Sequence, residues 1–382
     1  MGATSQAALA LQVSRSRWPN TDGVRKPTPD VSIWNHLPQR HRLWLPPEAS
    51  TPRPAFPSTF AQAEVDADRF EEVLTKHGVA IPEDSELRAG CLAIRALRTR
   101  REMAERYQDD LAGLRSALQM ALGTQHLIRL VLRRAEHPEF GALVPHLRLL
   151  TNGSAATTVK ADVTDRNAAK IFELTVALAA LSEGRDLCLD DPQHSKGGNP
   201  DVLVRLGRDD RLWGLACKVM SSESPLTLLQ RIEEGAAQIE RSPADVGVVV
   251  LSMKNILPHT EILPQAERDD GRLTLGAASD KRLLSEFVQG EVNRRIFALL
   301  DAVGRTEVGR VVRAFGKALP AILVPVYVGA ALVVENQPMP MLYGYGHICD
   351  LSRIHGQFLL QSTLRAADIR ALAALVRGFE VG

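Results

Sequence analysis

Between Asp165 and Met253 the hydrophobic pattern passes from helical period to alternation, back to helical period, and then to an unbroken apolar run. Neither an all-helical nor an all-β fold absorbs that order, so this part of the chain must be α/β. Asp165 is a good N-cap for a helix running through Ser182, with Ile171, Leu174, Leu178 and Leu181 on one stripe; Gly184 ends it. A short strand over Asp186 to Leu189 is followed by a hairpin. Its first strand runs from Asp201 to Leu206, its turn from Gly207 to Asp210, and its second strand from Leu212 to Met220. Pro225 suits the first turn of a second helix reaching Arg241, with Leu228, Leu229, Ile232, Ala236 and Ile239 facing a core. Asp245 to Met253 (DVGVVVLSM) closes the unit as a strand buried on both faces.

The flanks differ in character. Residues 1–57 hold nine prolines and no sustained period, which predicts an extended or disordered arm anchored by Trp34, Leu43 and Trp44. Residues 58–155 predict a helical domain, because Leu92, Leu97, Leu111, Leu114, Leu118 and Leu122 recur at helical spacing; Gly78 and Pro82 break an earlier helix from a longer one. In residues 257–382, a polar, proline-containing stretch gives way to a helix over Asp280 to Val303. A strand pair follows, Ala321 to Val334 with Met341 to Ile348, turning near Gln337, and then a last helix over about Leu364 to Val376. These elements either extend the same sheet or form a separate cap.

A chain of 382 residues exceeds one ordinary domain. Cys91, Cys188, Cys217 and Cys349 lie far apart with no C-x-x-C spacing, which argues against a zinc module or a disulfide framework and for a reducing cytoplasm. No stretch approaches the roughly 18 apolar residues of a spanning helix. The opening MGATSQAALALQVSRSR has too short an apolar run for a signal peptide, and Gln6 does not suit myristoylation, so a soluble, unexported protein without a membrane partner is expected. A net charge of +1 gives no general polyanion affinity, so any nucleic-acid surface must be local. From Cys91 to Arg134, nine arginines face four acids (Glu102, Glu105, Asp109, Asp110), an excess of five positive charges. That segment is either a nucleic-acid surface or a solvated helix face with i,i+4 pairs.

Four features fall at matching places in the order of helix, three strands, helix and strand. Glu173 sits in the first helix, Pro200-Asp201 opens the second strand, Ala216-Cys217-Lys218 ends the third, and Gln238 is in the second helix. The hairpin brings residues about fifteen apart side by side at one end of a sheet, and alternation puts positions 216 and 218 on one face with Cys217 on the other. Over residues 156–256 this resembles the PD-(D/E)xK phosphodiesterase superfamily, which includes many restriction and repair nucleases. The resemblance implies a restriction-endonuclease-like fold, a central mixed sheet flanked by helices. It also implies a magnesium or manganese ion taking oxygen ligands from Asp201, the backbone carbonyl of Cys217 and, directly or through water, Glu173. Lys218 would orient or activate the attacking water and offset charge on the phosphorus oxygens, and Gln238 would position the water or the phosphate. The implied substrate is nucleic acid, first of all DNA. The implied setting is restriction or anti-phage defence, with a homodimer or a partner protein of a defence system.

Ala216 departs from the pattern, which expects Glu or Asp there, and a methyl group cannot ligate a cation. Three explanations stand: an introduced substitution, a natural pseudo-nuclease, or a carboxylate supplied from elsewhere, for which Glu234, one helical turn before Gln238, is placed best. The polar loop Gln193 to Asn199 leads into Asp201 and offers His194 and Lys196 as substrate contacts; Lys170, one turn before Glu173, and Ser221 with Ser222 are further candidates. Cys217 reads as a small core residue, and His259 and His347 as packing or surface histidines. The competing readings are a catalytically silent scaffold that kept the nuclease fold, or a pure nucleic-acid-binding module.

Overall fold

A computed structural model describes residues 60–97, 110–161, 165, 167–192, 199–257, 259, 266–269, 272–275, 281–334, 337–354, 357–358 and 364–379. The N-terminal arm and the loop carrying His194 and Lys196 lie outside them. Three helices come first: α1 (Phe60–Lys76), α2 (Glu86–Ala96) and α3 (Leu111–Leu132), followed by short helical turns between Phe140 and Thr151. Next come α4 (Ala168–Ala180), β1 (Arg185–Leu189), β2 (Val202–Leu206), β3 (Arg211–Val219), α5 (Pro225–Arg241) and β4 (Val246–Ser252). The rest is β5 (Ala266–Asp269), β6 (Arg272–Leu275), α6 (Lys281–Val303), α7 (Arg305–Arg313), β7 (Ala318–Val334), β8 (Gln337–Asp350), the two-residue strands β9 (Arg353–Ile354) and β10 (Gln357–Phe358), and α8 (Ala366–Phe379).

The α/β reading is correct, and the central sheet is mixed and flanked by helices. Its six strands run in the order β1-β2-β3-β4-β7-β8. Neighbours β1/β2, β2/β3 and β7/β8 are antiparallel, whereas β3/β4 and β4/β7 are parallel. The parallel step from β3 to β4 follows from chain length, since α5 supplies the crossover that parallel strands require, while the β2–β3 turn reverses the chain through two left-handed residues, Gly207 at φ 80° and Asp210 at φ 54°. The late strand pair extends the sheet, with Val249 beside Ile322 and a hairpin closing at Val334 and Gln337. The polar, proline-containing stretch contains the antiparallel pair β5–β6, which the sequence reading did not anticipate.

Strand alternation divides the core in two. Leu215, Cys217, Val248, Val250 and Leu323 join a cluster with residues of α1 to α4 and α8 on one face. Ala216, Val249, Leu251, Ile322 and Tyr345 join residues of α5, α6 and α7 on the other. The first cluster runs from Ala63 to Phe379, so the N-terminal helices and the sheet share one buried core. Position 92 departs from the helical stripe: Leu92 is 52% exposed.

Two of the arginines between Cys91 and Arg134 pair with acids outside that window. Arg95 bonds Asp68 at 2.7 Å and Glu71 at 3.0 Å, and Arg129 lies 3.4 Å from Asp66, all three on α1. Arg134 donates to the Leu178 carbonyl at 3.3 Å. Arg98, Arg100, Arg101 and Arg106 lie outside the described residues. Among those described, no helix is long and apolar enough to cross a membrane.

Candidate active site

The hairpin register sets the first residue of the site. Val202 pairs with Leu215, so one further step places Asp201 beside Ala216, at the end of the sheet where β3 finishes. Here a side chain takes over a backbone role: Asp201 Oδ2 accepts the Cys217 N–H at 2.7 Å. Lys218, next along β3, brings Nζ to 4.0 Å from Asp201 Oδ2 and donates to Gln238 Oε1 at 2.6 Å. Gln238 arrives from α5, whose Ser224 cap and Pro225 start it at the predicted residue. Asp201 and Gln238 are buried, and the Lys218 side chain is 12% exposed.

Glu173 enters from α4. Asp165 fixes where that helix begins, accepting the N–H groups of Asn167 at 2.8 Å and Ala168 at 3.1 Å. The remaining Asp165 oxygen accepts the Ser154 N–H at 2.6 Å, which ties the helix start to the preceding turn. Glu173 is 3% exposed within an apolar helix, a position that demands partners. It has two. Lys170 Nζ donates to it at 2.9 Å, and His146 Nε2 lies 3.3 Å from Oε2. Sequence reasoning missed His146; its setting, Leu143-Val144-Pro145-His146-Leu147, carries no signal beyond the residue type.

The electrostatics follow from burial and from like charge. Asp201 is pushed up to about 7, first by burial and then by the Glu173 carboxylate, against the opposing pull of Lys218, the Cys217 N–H and Lys170. Burial pulls Lys170 down, but Glu173 beside it holds the ammonium above its ordinary value. The Cys217 thiol is pushed well above its usual range by burial and by Asp201 and Glu173, which suits a core side chain and not a thiolate nucleophile.

Position 216 is filled tightly. Ala216 is fully buried against α5, and a Cβ added at Gly235 would stand 3.3 Å from the Ala216 methyl and 2.9 Å from Val249 Cγ2. The small residue sits where Gly235 lets the helix come close to the sheet. Glu234, the best-placed substitute carboxylate, bonds Gln230 and Arg231 of its own helix, each at 2.8 Å, although the charge of Lys218 reaches it. Ser221 and Ser222 are exposed beyond the strand end. His259 is a packing residue whose Nε2 lies 2.8 Å from the Lys254 carbonyl; burial lowers it to about 4, as it does His347.

On the other flank of α4, Lys254 donates to Ser154 Oγ at 2.9 Å, and Ser154 Oγ donates to Glu86 at 3.1 Å. These bonds join the end of β4 to the N-terminal helices. A cavity of about 40 Å³ lies there, lined in part by Thr157, Thr175, Ser252, Lys254 and Tyr327.

Among the described residues, no three His, Cys, Asp or Glu side chains converge as a metal-holding group. The donors in question are the Asp201 and Glu173 carboxylates and the Cys217 backbone carbonyl, while Gln238 Oε1 already accepts from Lys218. That chemistry fits magnesium, which is held through one or two carboxylates together with waters and substrate phosphates. Burial and the neighbouring Glu173 charge both oppose ionisation of Asp201, and a cation beside the two carboxylates would relieve that opposition. Comparisons with protein family models, with curated proteins and with solved structures returned no match.

Proposed function

We propose that this chain is a metal-dependent phosphodiesterase of the PD-(D/E)xK type, with a restriction-endonuclease-like core over residues 156–256 and DNA as the first substrate to test. One observation carries the reading. Residues from α4, β2, β3 and α5 converge at one end of the sheet, with Lys218 Nζ 4.0 Å from Asp201 Oδ2 and 2.6 Å from Gln238 Oε1. The order of pairing supports it as well, since an antiparallel β1-β2-β3 meander is followed by a helical crossover to a parallel β4.

Asp201, the Cys217 carbonyl and Glu173 would hold magnesium or manganese, which when bound supplies an acidified water and a Lewis acid. Gln238 holds the Lys218 ammonium in place, so that the lysine meets the attacking water or a phosphate oxygen with little side-chain entropy left to lose. The positive charge of Lys218 then offsets negative charge developing on phosphorus oxygens, in a setting largely closed to water. Lys170, His194 and Lys196 are the substrate contacts of this reading. A defence context, a homodimer or partner protein, and a cytoplasmic location belong to the same proposal.

The match between Ala216 and Gly235 supports a natural alanine over an introduced substitution. It equally favours a second reading, a scaffold that has lost catalysis, because Glu173 already satisfies Lys170 and His146. Plasmid nicking with magnesium or manganese separates the two. The chain as it stands is expected to cleave, Lys218→Ala to abolish cleavage, and Ala216→Glu to add nothing. No cleavage by the unaltered chain with either metal selects the scaffold.

A further inference from the structure

Glu173 is held by Lys170 of its own helix and by a second group from outside both α4 and the β2–β3 hairpin. His146 belongs to the short turn Val144–Leu147, has a side chain only 1% exposed, and sets Nε2 3.3 Å from Glu173 Oε2. Its other ring nitrogen, Nδ1, is buried with no hydrogen-bond partner among the described residues. Whichever form the ring takes, directing Nε2 at the carboxylate leaves Nδ1 buried without a partner, and a buried polar atom without a partner is destabilising. The sequence neighbours Leu143 and Leu147 are fully buried and apolar, and among the described residues the His146 ring makes its polar contact to Glu173 alone. The chain therefore carries an unsatisfied nitrogen for the sake of that carboxylate. Glu173 in turn acts on Asp201, whose ionisation its charge opposes.

We propose that His146 is a positioning residue for the divalent-cation site, holding the Glu173 carboxylate in one orientation together with Lys170 so that it faces the cation shared with Asp201. This rests on the nuclease reading above. Groups that orient a metal-binding residue typically matter by about 10- to 100-fold in metal affinity or activity.

The test is manganese uptake by the full-length protein, read by electron paramagnetic resonance, for the parent, His146→Leu and His146→Gln. The leucine variant is expected to weaken manganese affinity by about 10-fold or more. The glutamine variant, which restores an N–H donor, is expected to recover most of that loss. In plasmid cleavage, the metal concentration giving half-maximal rate should rise for His146→Leu while KM for DNA stays constant, a split that a purely structural role does not produce. Parent-like binding by His146→Leu, or equal loss in both variants, overturns the role of His146 and leaves the nuclease reading standing. A parent that takes up no manganese removes the nuclease reading and this inference with it. Should the variants fail to fold, the ¹⁵N resonances of His146 in the parent decide. An Nε2-protonated ring whose signals move on adding magnesium supports the role, and signals that stay fixed overturn it.

Discussion

Asp201→Asn is expected to make the protein more stable at pH 8. In the fold the Asp201 carboxyl ionises near 7, against 3.8 for an unperturbed one. Between those two values the folded state holds a proton that the unfolded chain has released, so stability falls as pH rises through that window and the full cost is present above it. A difference of about three units corresponds to about 4 kcal/mol as a ceiling, at roughly 1.4 kcal/mol per unit. Relaxation around the newly formed charge reduces that ceiling, so about 2 to 4 kcal/mol is expected. Asparagine cannot ionise, and its carbonyl can still accept the Cys217 N–H that Asp201 accepts at 2.7 Å. The opposing attraction of Lys218 is already contained in the value of about 7. Denaturant melts without metal should therefore show the variant about 2 to 4 kcal/mol more stable at pH 8. The gap should close as pH is lowered towards 4. A variant less stable than the parent at pH 8, or a difference independent of pH, refutes the electrostatic reasoning.

Magnesium at a hundred times its dissociation constant should stabilise the parent at pH 8 by about 2.7 kcal/mol, seen as a raised Tm, and should leave Asp201→Asn unmoved; equal shifts in both would place the ion elsewhere. Gly235→Ala should cost about 1 to 3 kcal/mol, because the added methyl meets Val249 at 2.9 Å, and thermal melts will show whether α5 can give way. Ala216→Glu should cost at least as much by forcing a carboxylate against that helix, again read as a fall in Tm. An Ala216→Glu protein as stable as the parent, with higher nuclease activity, would restore the introduced-substitution explanation.

How far the sequence disclosed the site depends on range. The α5 boundaries are those expected from Pro225 and Arg241, and β3 and β4 begin and end within a residue of the expected positions, because turn chemistry and apolar period are local signals. The convergence of Asp201, Lys218 and Gln238 was readable for the same reason: one hairpin and one crossover helix bring them together. Glu173 announced itself as a carboxylate in an apolar helix, but its partner His146 lies 27 residues earlier and no short-range pattern links them. The tight seat of Ala216 was equally hidden, since it depends on how closely Gly235 lets α5 approach the sheet. The pairing of Arg95 and Arg129 with Asp66, Asp68 and Glu71 was hidden for the same reason, since those acids lie on a different helix.

Manganese-dependent plasmid nicking by Asp201→Asn, measured beside the parent at pH 8, tests the central claim most directly, because the variant is expected to be the more stable of the two. The account predicts nicking by the parent and none by the variant at any manganese concentration, a loss that misfolding cannot explain. Nicking by Asp201→Asn at the parent's rate, with the higher melting temperature confirmed in the same preparation, would contradict it.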